Sequence, residues 1–155
     1  MLFRNYTYSP HPAKPNIRLQ CSINIPQEPQ PKICEYQIHP HHRNKNPRKS
    51  QWSISYEDEI AVFAGVCCDG IIDKGQYMWG LYLPGDEPEV LGETKFHDKS
   101  RIATFDNGYN NGFWHGYPAD YIRGQEVPSE EVLDLWKRKN YIKKSDISKI
   151  LKGQW

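Results

Sequence analysis

Apolar and polar residues alternate along several short segments of the chain, most regularly over residues 17–25. In that segment the odd positions are apolar, from Ile17 to Ile25, and the even positions are polar. A period of two places successive side chains on opposite faces of a strand, so one face is buried and the other is solvated. Weaker patterns of the same kind predict further strands at residues 33–38, 52–56, 77–83, 89–96, 101–105 and 112–117.

A continuous apolar run, IAVFAGVCC, covers residues 60–68. A short run without alternation is typical of a central strand that is covered on both faces. The run therefore predicts such a strand, paired antiparallel with residues 77–83. Adjacent residues of a strand point to opposite faces, so Cys67 and Cys68 are not expected to form a disulfide with each other.

The C-terminal segment carries helix signals instead. Ser129 is predicted to cap a helix whose first turn holds Glu130 and Glu131, because acidic side chains are favoured at a helix N-terminus. Ser145 is predicted to cap a second short helix that ends before Gly153. Strands followed by two short C-terminal helices indicate an α+β fold, with a mainly antiparallel sheet of about five to seven short strands.

The length of 155 residues predicts a single domain, residues 1–155. Its expected parts are a Pro-rich extended segment (1–16), a β-rich core (17–118) and a helical hairpin (128–152). No stretch is apolar enough for a membrane span, the start is too polar for a secretory signal, and the cysteines lack zinc-site spacing. These features predict a cytoplasmic protein with reduced thiols, no membrane contact, and no metal or other cofactor.

Charge is distributed unevenly along the chain. Residues 1–50 carry a net charge of +6, residues 51–100 carry −7, and residues 101–155 carry +2. Aromatic residues make up 13% of the chain, and Tyr and Trp are the types that interfaces and base-stacking surfaces use. Together these features favour a protein that binds another macromolecule.

A basic, histidine-rich segment without hydrophobic periodicity occupies residues 39–51. Its candidate binding residues are His39, His41, His42, Arg43 and Lys45. Clustered imidazoles can exchange protons, and the cations of a basic loop contact nucleic-acid phosphates. The segment is therefore either a phosphate-binding loop or a solvated loop without a ligand.

The most distinctive motif is Trp114-His115-Gly116-Tyr117. His115 is a candidate general acid or base, and the absence of a side chain at position 116 would let a backbone or a ligand approach closely. The groups that could orient His115 are Asp106, Asp120 and Tyr117. The alternative interpretation is a structural histidine that packs among aromatic rings.

A third and weaker cluster surrounds His97. A metal-independent ribonuclease can be built from two histidines and a cation, and His97, Arg101 and His115 would supply those groups. Nothing in the spacing of these residues requires them to meet.

Two functions of different classes remain open. The chain has no Gly-x-Gly-x-x-Gly, Walker A, Gly-x-Ser-x-Gly or His-Glu-x-x-His motif, which removes the readily recognised nucleotide-binding, serine-hydrolase and zinc-protease classes. The first prediction is a non-catalytic protein-binding domain of the inhibitor, immunity or adaptor type, with Glu87 and Glu89 facing a basic partner. The alternative is a small metal-independent nuclease or RNA-binding protein that uses His115 and the basic loop 39–49.

Overall fold

The computed structural model describes residues 6–10, 20–26, 32–107 and 113–155. In these ranges the chain forms three antiparallel sheets of three strands each, together with three α-helices, two of them C-terminal. The predicted α+β class with a mainly antiparallel sheet is therefore confirmed. Most of the predicted Pro-rich segment, and residues 17–19 of the first predicted strand, lie outside the described residues.

The elements follow one another in three groups along the chain. The first sheet contains β1 (Thr7–Pro10), β2 (Gln20–Ile25) and β3 (Lys32–Gln37). A 3-10 turn (Pro40–His42), β4 (Gln51–Trp52) and α1 (Tyr56–Asp69) come next. The remaining strands are β5 (Tyr77–Leu81), β6 (Gly92–Glu93), β7 (Lys99–Ser100), β8 (Ile102–Asp106) and β9 (His115–Pro118). The C-terminal helices are α2 (Glu130–Arg138) and α3 (Lys144–Leu151).

The prediction of a central strand at residues 60–68 is wrong, because this run lies in helix α1. Ser55 caps the helix by accepting a hydrogen bond from the Asp58 backbone amide at 3.1 Å, and three acidic residues fill the first turn. Gly70 ends the helix with a left-handed φ of 69°. A short apolar run fits a buried helix as well as a buried strand, and the caps at both ends select the helix here.

Several predicted boundaries also change. The alternation at residues 52–56 yields only β4, because Ser55 caps α1 and the helix begins at Tyr56. Helix α3 starts one residue before Ser145, with Lys143 in the cap position and its backbone amide bonded to Asp146. Cys67 and Cys68 therefore lie in a helix, and no disulfide joins any of the four cysteines. Strand β5 pairs with β8, which replaces the predicted pairing with residues 60–68.

The third sheet, ordered β5-β8-β9, separates two apolar clusters. Met78 and Phe105 are register partners on the face that packs with α1 in the first cluster. Leu81 and Ile102 are register partners on the opposite face and belong to the second cluster, which includes the buried side chains of α2. Among the described residues, no helix combines the length and apolar character that crossing a membrane requires.

Candidate functional site

Two segments that are far apart in the sequence meet beside the third sheet. The ring centroids of His39 and His42 lie 5.5 Å apart, and those of His39 and His115 are also separated by 5.5 Å. The ring of Tyr117 stacks on His42 with a centroid distance of 5.1 Å and an interplanar angle of 18°. The structure thus brings together the basic loop and the motif around His115, which the sequence offers only as separate candidates.

The alternation of β9 aims His115 and Tyr117 to one side of the sheet. His115 is the register partner of Asp106, and Tyr117 is the partner of Thr104. Gly116 points the other way, where an added Cβ would overlap the edge of the Phe105 ring. The close approach that this glycine permits is therefore to the protein core.

A buried ion pair anchors the loop that carries His39 and His42. The guanidinium of Arg43 donates to the Glu59 carboxylate on α1, with Nη2 at 2.6 Å and Nε at 3.2 Å from Oε1. The Tyr36 hydroxyl donates to the other oxygen of Glu59 at 2.6 Å. Burial raises the pKa of Glu59, and the hydrogen bonds from Tyr36 and Arg43 oppose that rise. Arg43, a predicted ligand-binding residue, thus engages a fully buried carboxylate.

The joined segments line an open cavity of about 710 Å³, which we call the histidine groove. Its histidines are His39, His42 and His115, and Tyr117 lies beside them. The cationic side chains of the lining are Arg48, Lys49, Lys95 and Arg123, all exposed. The acidic side chains of the lining are Asp106, Asp120 and Glu126. The cavity is within the size range of small-molecule and cofactor sites, and its lining combines four cations with three carboxylates.

His42 is held in one tautomer. Its Nδ1 lies 2.8 Å from the carbonyl oxygen of Ser50, so Nδ1 carries the proton and donates, and Nε2 keeps a lone pair. Burial lowers the pKa of His42 to about 4, and the hydrogen bond to Ser50 opposes the fall only in part. At neutral pH this imidazole is therefore uncharged and able to accept a proton.

His39 and His115 are half-buried, and burial is the main cause of a lowered pKa in both. The backbone amide of His41 donates to Nδ1 of His39 at 3.3 Å, which leaves the proton of neutral His39 on Nε2. The Asp106 carboxylate raises the pKa of His115 against the effect of burial. Of these two histidines, His115 has the carboxylate that favours its charged form.

Tyr117 and Glu126 are neighbouring polar side chains of the groove lining. Their side chains are hydrogen-bonded, and Glu126 Oε1 also accepts from the Asp120 backbone amide at 3.0 Å. Burial raises the pKa of Tyr117 and the pKa of Glu126. Tyr117 is therefore an un-ionised hydroxyl at neutral pH, positioned by its acidic neighbour.

Several predicted residues lie away from the groove lining. Trp114 packs on Phe63 in the first apolar cluster, with ring centroids 6.5 Å apart. His97 is 87% exposed at its side chain, with Nδ1 3.5 Å from a carboxylate oxygen of Glu93. The guanidinium of Arg101 stacks on the Trp155 ring at 5.5 Å. The structure therefore does not assemble His97, Arg101 and His115 into one site.

The remaining predicted binding residues are exposed. His41 and Lys45 flank the anchored part of the loop, and neither is among the residues that line the groove. Glu87 and Glu89 lie in the loop after β5, where the Glu89 backbone amide bonds to the Tyr82 carbonyl at 2.9 Å. These two carboxylates face solvent, and neither is among the residues that line the groove.

The candidate site residues named from the sequence are incomplete. They omit Lys95, Arg123 and Glu126, which stand in unremarkable polar segments and reach the groove only through the fold. Lys49 belongs to the basic loop 39–49 that the sequence predicts to contact phosphates, and its charge lowers the pKa of all three groove histidines.

Among the described residues, no three His, Cys, Asp or Glu side chains converge as a metal site would require. The groove instead offers proton-transfer groups and cations around one concave surface. The chain matches no known family model, and neither a curated protein nor a solved structure shows significant similarity to it.

Proposed function

We propose that the histidine groove binds single-stranded RNA and cleaves it by acid–base catalysis. The observation that carries this proposal is the meeting of His39, His42 and His115 on one concave surface with exposed cations in its lining. RNA suits such groups because its 2′-hydroxyl is a nucleophile built into the substrate. Single strands suit them because in-line attack needs a backbone that is free to rotate.

The three imidazoles have different proposed roles, which follow from their tautomers and from the groups around them. His42, neutral with a lone pair on Nε2, takes the proton of the 2′-hydroxyl as its oxygen attacks the phosphorus. The bond from phosphorus to the 5′-oxygen breaks, and His115, supported by Asp106, gives a proton to that oxygen. The products are a 2′,3′-cyclic phosphate and a free 5′-hydroxyl.

His39 has a different role between these two groups. Its ring centre lies 5.5 Å from each of them, and its Nε2–H donates to a non-bridging phosphate oxygen. Lys49 supplies positive charge to the same phosphate. The negative charge of the bound phosphate favours the protonated form of His115 in the complex. Fixed donors of this kind stabilise the charge that develops on the phosphate in the transition state.

The experiment is cleavage of a fluorescently labelled single-stranded RNA by the full chain, with and without a chelator. His115→Gln is expected to lower the rate about 100-fold or more, since general acid–base groups contribute about 10²–10⁴. His97→Asn is the matched control, because His97 is an exposed histidine outside the groove lining and has a left-handed φ of 67° that Asn tolerates. Circular dichroism and thermal unfolding establish that both variants are folded.

Equal cleavage rates in folded His115→Gln and wild-type protein would remove His115 from the chemistry. A complete lack of cleavage and of RNA binding in the wild-type protein would overturn the proposal itself. Binding is measured separately as a function of salt. Lys49→Ala is expected to weaken it for all sequences and to reduce the salt dependence by about one phosphate contact.

The sequence also predicts a protein partner, and no observation favours it over RNA. Exposed large apolar side chains in the described residues come from separate elements: Tyr8, Ile33, Tyr56, Ile72, Phe96 and Leu151. They do not single out a docking surface for the inhibitor or adaptor function. A cytoplasmic location stays a prediction, which the four cysteines without a disulfide fit.

A further inference from the structure

A second cavity adjoins the histidine groove on the same face of the third sheet. It measures about 630 Å³, and Tyr117, Gln125 and Glu126 line both cavities. We call it the threonine pocket, because Thr104 lies in its wall. The groups that transfer protons belong to the histidine groove, so the threonine pocket has no part in the proposed chemistry.

The sheet register gives the threonine pocket the form of a slot. Trp79, Thr104 and Tyr117 are register partners across β5, β8 and β9, so the small side chain stands between two large aromatic ones. Neighbouring strands lie about 4.8 Å apart, which separates the backbones of the two outer residues by roughly 10 Å. One planar ring stacked between aromatic walls needs a space of this order. Tyr77 extends the wall on the Trp79 side.

The wall of the slot holds a buried polar group that no described residue pairs with. Thr104 is 1% exposed, and its hydroxyl has no hydrogen-bond partner among the described residues. Leaving a buried hydroxyl unpaired is unfavourable, which makes it a group that a ligand could satisfy. The Asp73 carboxylate in the same lining is already in use, because it accepts from the Trp79 indole at 2.7 Å and from the Ser129 amide at 3.1 Å.

We propose that the threonine pocket binds the base of a nucleotide whose phosphate lies in the histidine groove. Aromatic walls recognise the face of a planar heterocycle, and a hydroxyl or an amide recognises its polar edge. Thr104 and Gln125 supply those two groups. The inference rests on the proposed function, which places the phosphate in the histidine groove. It adds that binding of the base in the threonine pocket selects the cleavage site.

The test compares three kinds of probe by isothermal titration calorimetry with the full chain. The probes are the four nucleoside 5′-monophosphates, the four nucleosides, and ribose 5-phosphate. At least one monophosphate is expected to bind about fivefold or more tightly than ribose 5-phosphate, because stacking of a base on an aromatic side chain strengthens binding by about 5- to 150-fold. Tyr77→Leu is expected to reduce this difference, and Tyr77→Phe is expected to keep it.

The variant Thr104→Val removes the hydroxyl and keeps the shape of the side chain. It is expected to weaken binding of the preferred monophosphate about five- to tenfold and to leave ribose 5-phosphate binding unchanged. Because the hydroxyl pairs with none of the residues that the structure describes, Thr104→Val should unfold at or above the wild-type temperature. Thr94→Val is the matched comparison, since Thr94 is also buried but its hydroxyl accepts from the Phe96 and Asp98 amides, and it should unfold at a lower temperature.

Each outcome decides between the two proposals. If ribose 5-phosphate binds as tightly as every monophosphate, the base site is refuted and the phosphate groove stands. If nucleosides bind and ribose 5-phosphate does not, the base site is supported and the phosphate groove fails. If the monophosphate affinity is unchanged in Thr104→Val, Thr104 does not read the base. If no probe binds, both proposals are overturned.

Discussion

Acid should destabilise this protein partly through His42. The folded protein holds the pKa of this imidazole at about 4, whereas an unfolded histidine titrates near 6.5. As the pH falls between these values, the unfolded chain takes up a proton that the folded chain cannot accept. The stability that depends on neutral His42 is therefore fully present above about pH 6.5 and is lost as the pH falls through about 4.

The size of this loss follows from the difference between the two pKa values. One pKa unit corresponds to about 1.4 kcal/mol, so the shift of His42 to about 4 amounts to roughly 3 kcal/mol when titration is complete. Between neutral pH and about pH 4.5 the loss is roughly 2 kcal/mol. This is a substantial part of the stability of an ordinary domain.

The assay is urea unfolding followed by tryptophan fluorescence at pH 7 and at about pH 4.5. His42→Phe keeps a ring against Tyr117 and removes the titrating group together with its bond to Ser50. At pH 7 this variant should be less stable than wild type by about 1 kcal/mol, the usual net contribution of a hydrogen bond. Between pH 7 and about pH 4.5 it should lose roughly 2 kcal/mol less than wild type.

A matched control comes from the same turn. His41 is exposed and its side chain is not part of the groove lining, so His41→Phe should keep the full acid dependence of the wild-type protein. The titrating groups other than His41 and His42 are shared by all three proteins. If wild type and His42→Phe lose the same free energy of unfolding on acidification, burial of neutral His42 is not a source of the acid sensitivity.

Three further predictions concern the ion pair of Arg43 and Glu59, the glycine at position 116 and the pH dependence of RNA cleavage. Arg43→Met leaves the Glu59 carboxylate buried without its cation and should cost about 3–5 kcal/mol in urea unfolding, whereas exposed Lys45→Met should change stability by less than about 0.5 kcal/mol. Gly116→Ala presses a methyl group against the Phe105 ring and should lower the free energy of unfolding by about 1–3 kcal/mol in the same assay. A free energy of unfolding equal to that of the wild-type protein would contradict the close contact. RNA cleavage should be faster at about pH 5.5 than at pH 7.5, because the acid must be protonated and the base, with a pKa of about 4, must not be. A rate that rises steadily with pH would contradict those roles.

Much of the fold could be predicted from local patterns. The strand that ends at Ile25 and the helix that begins after Ser129 have signals that depend only on near neighbours, namely a period of two and an N-cap. Helix α1 was not predicted, because an apolar run that is buried on all sides has no periodicity to distinguish the two structures. Its caps, Ser55 and Gly70, were the available signal.

The candidate site could be predicted only in pieces. The basic loop and the His115 motif both stand out in the sequence, but their meeting depends on contacts between residues 76 positions apart, from His39 to His115. Trp114 is as conspicuous in the sequence as Tyr117, yet strand alternation sends it to the core side. Residues such as Glu126 carry no local signal, because their role exists only once the sheet and the loop are in place.

Because side chains alternate along β9, this one strand contributes to both the groove and the core. His115 and Tyr117 face the groove, and Gly116 between them faces the ring of Phe105. Inserting or deleting one residue in β9 would exchange the faces, placing an imidazole and a phenol against the core and a bare glycine in the groove. A shift of the β9 register by a single residue would therefore disrupt both the groove and the packing of the core. Evolution or engineering can vary the groove by substitution at these positions, but changes of strand length here must come in steps of two.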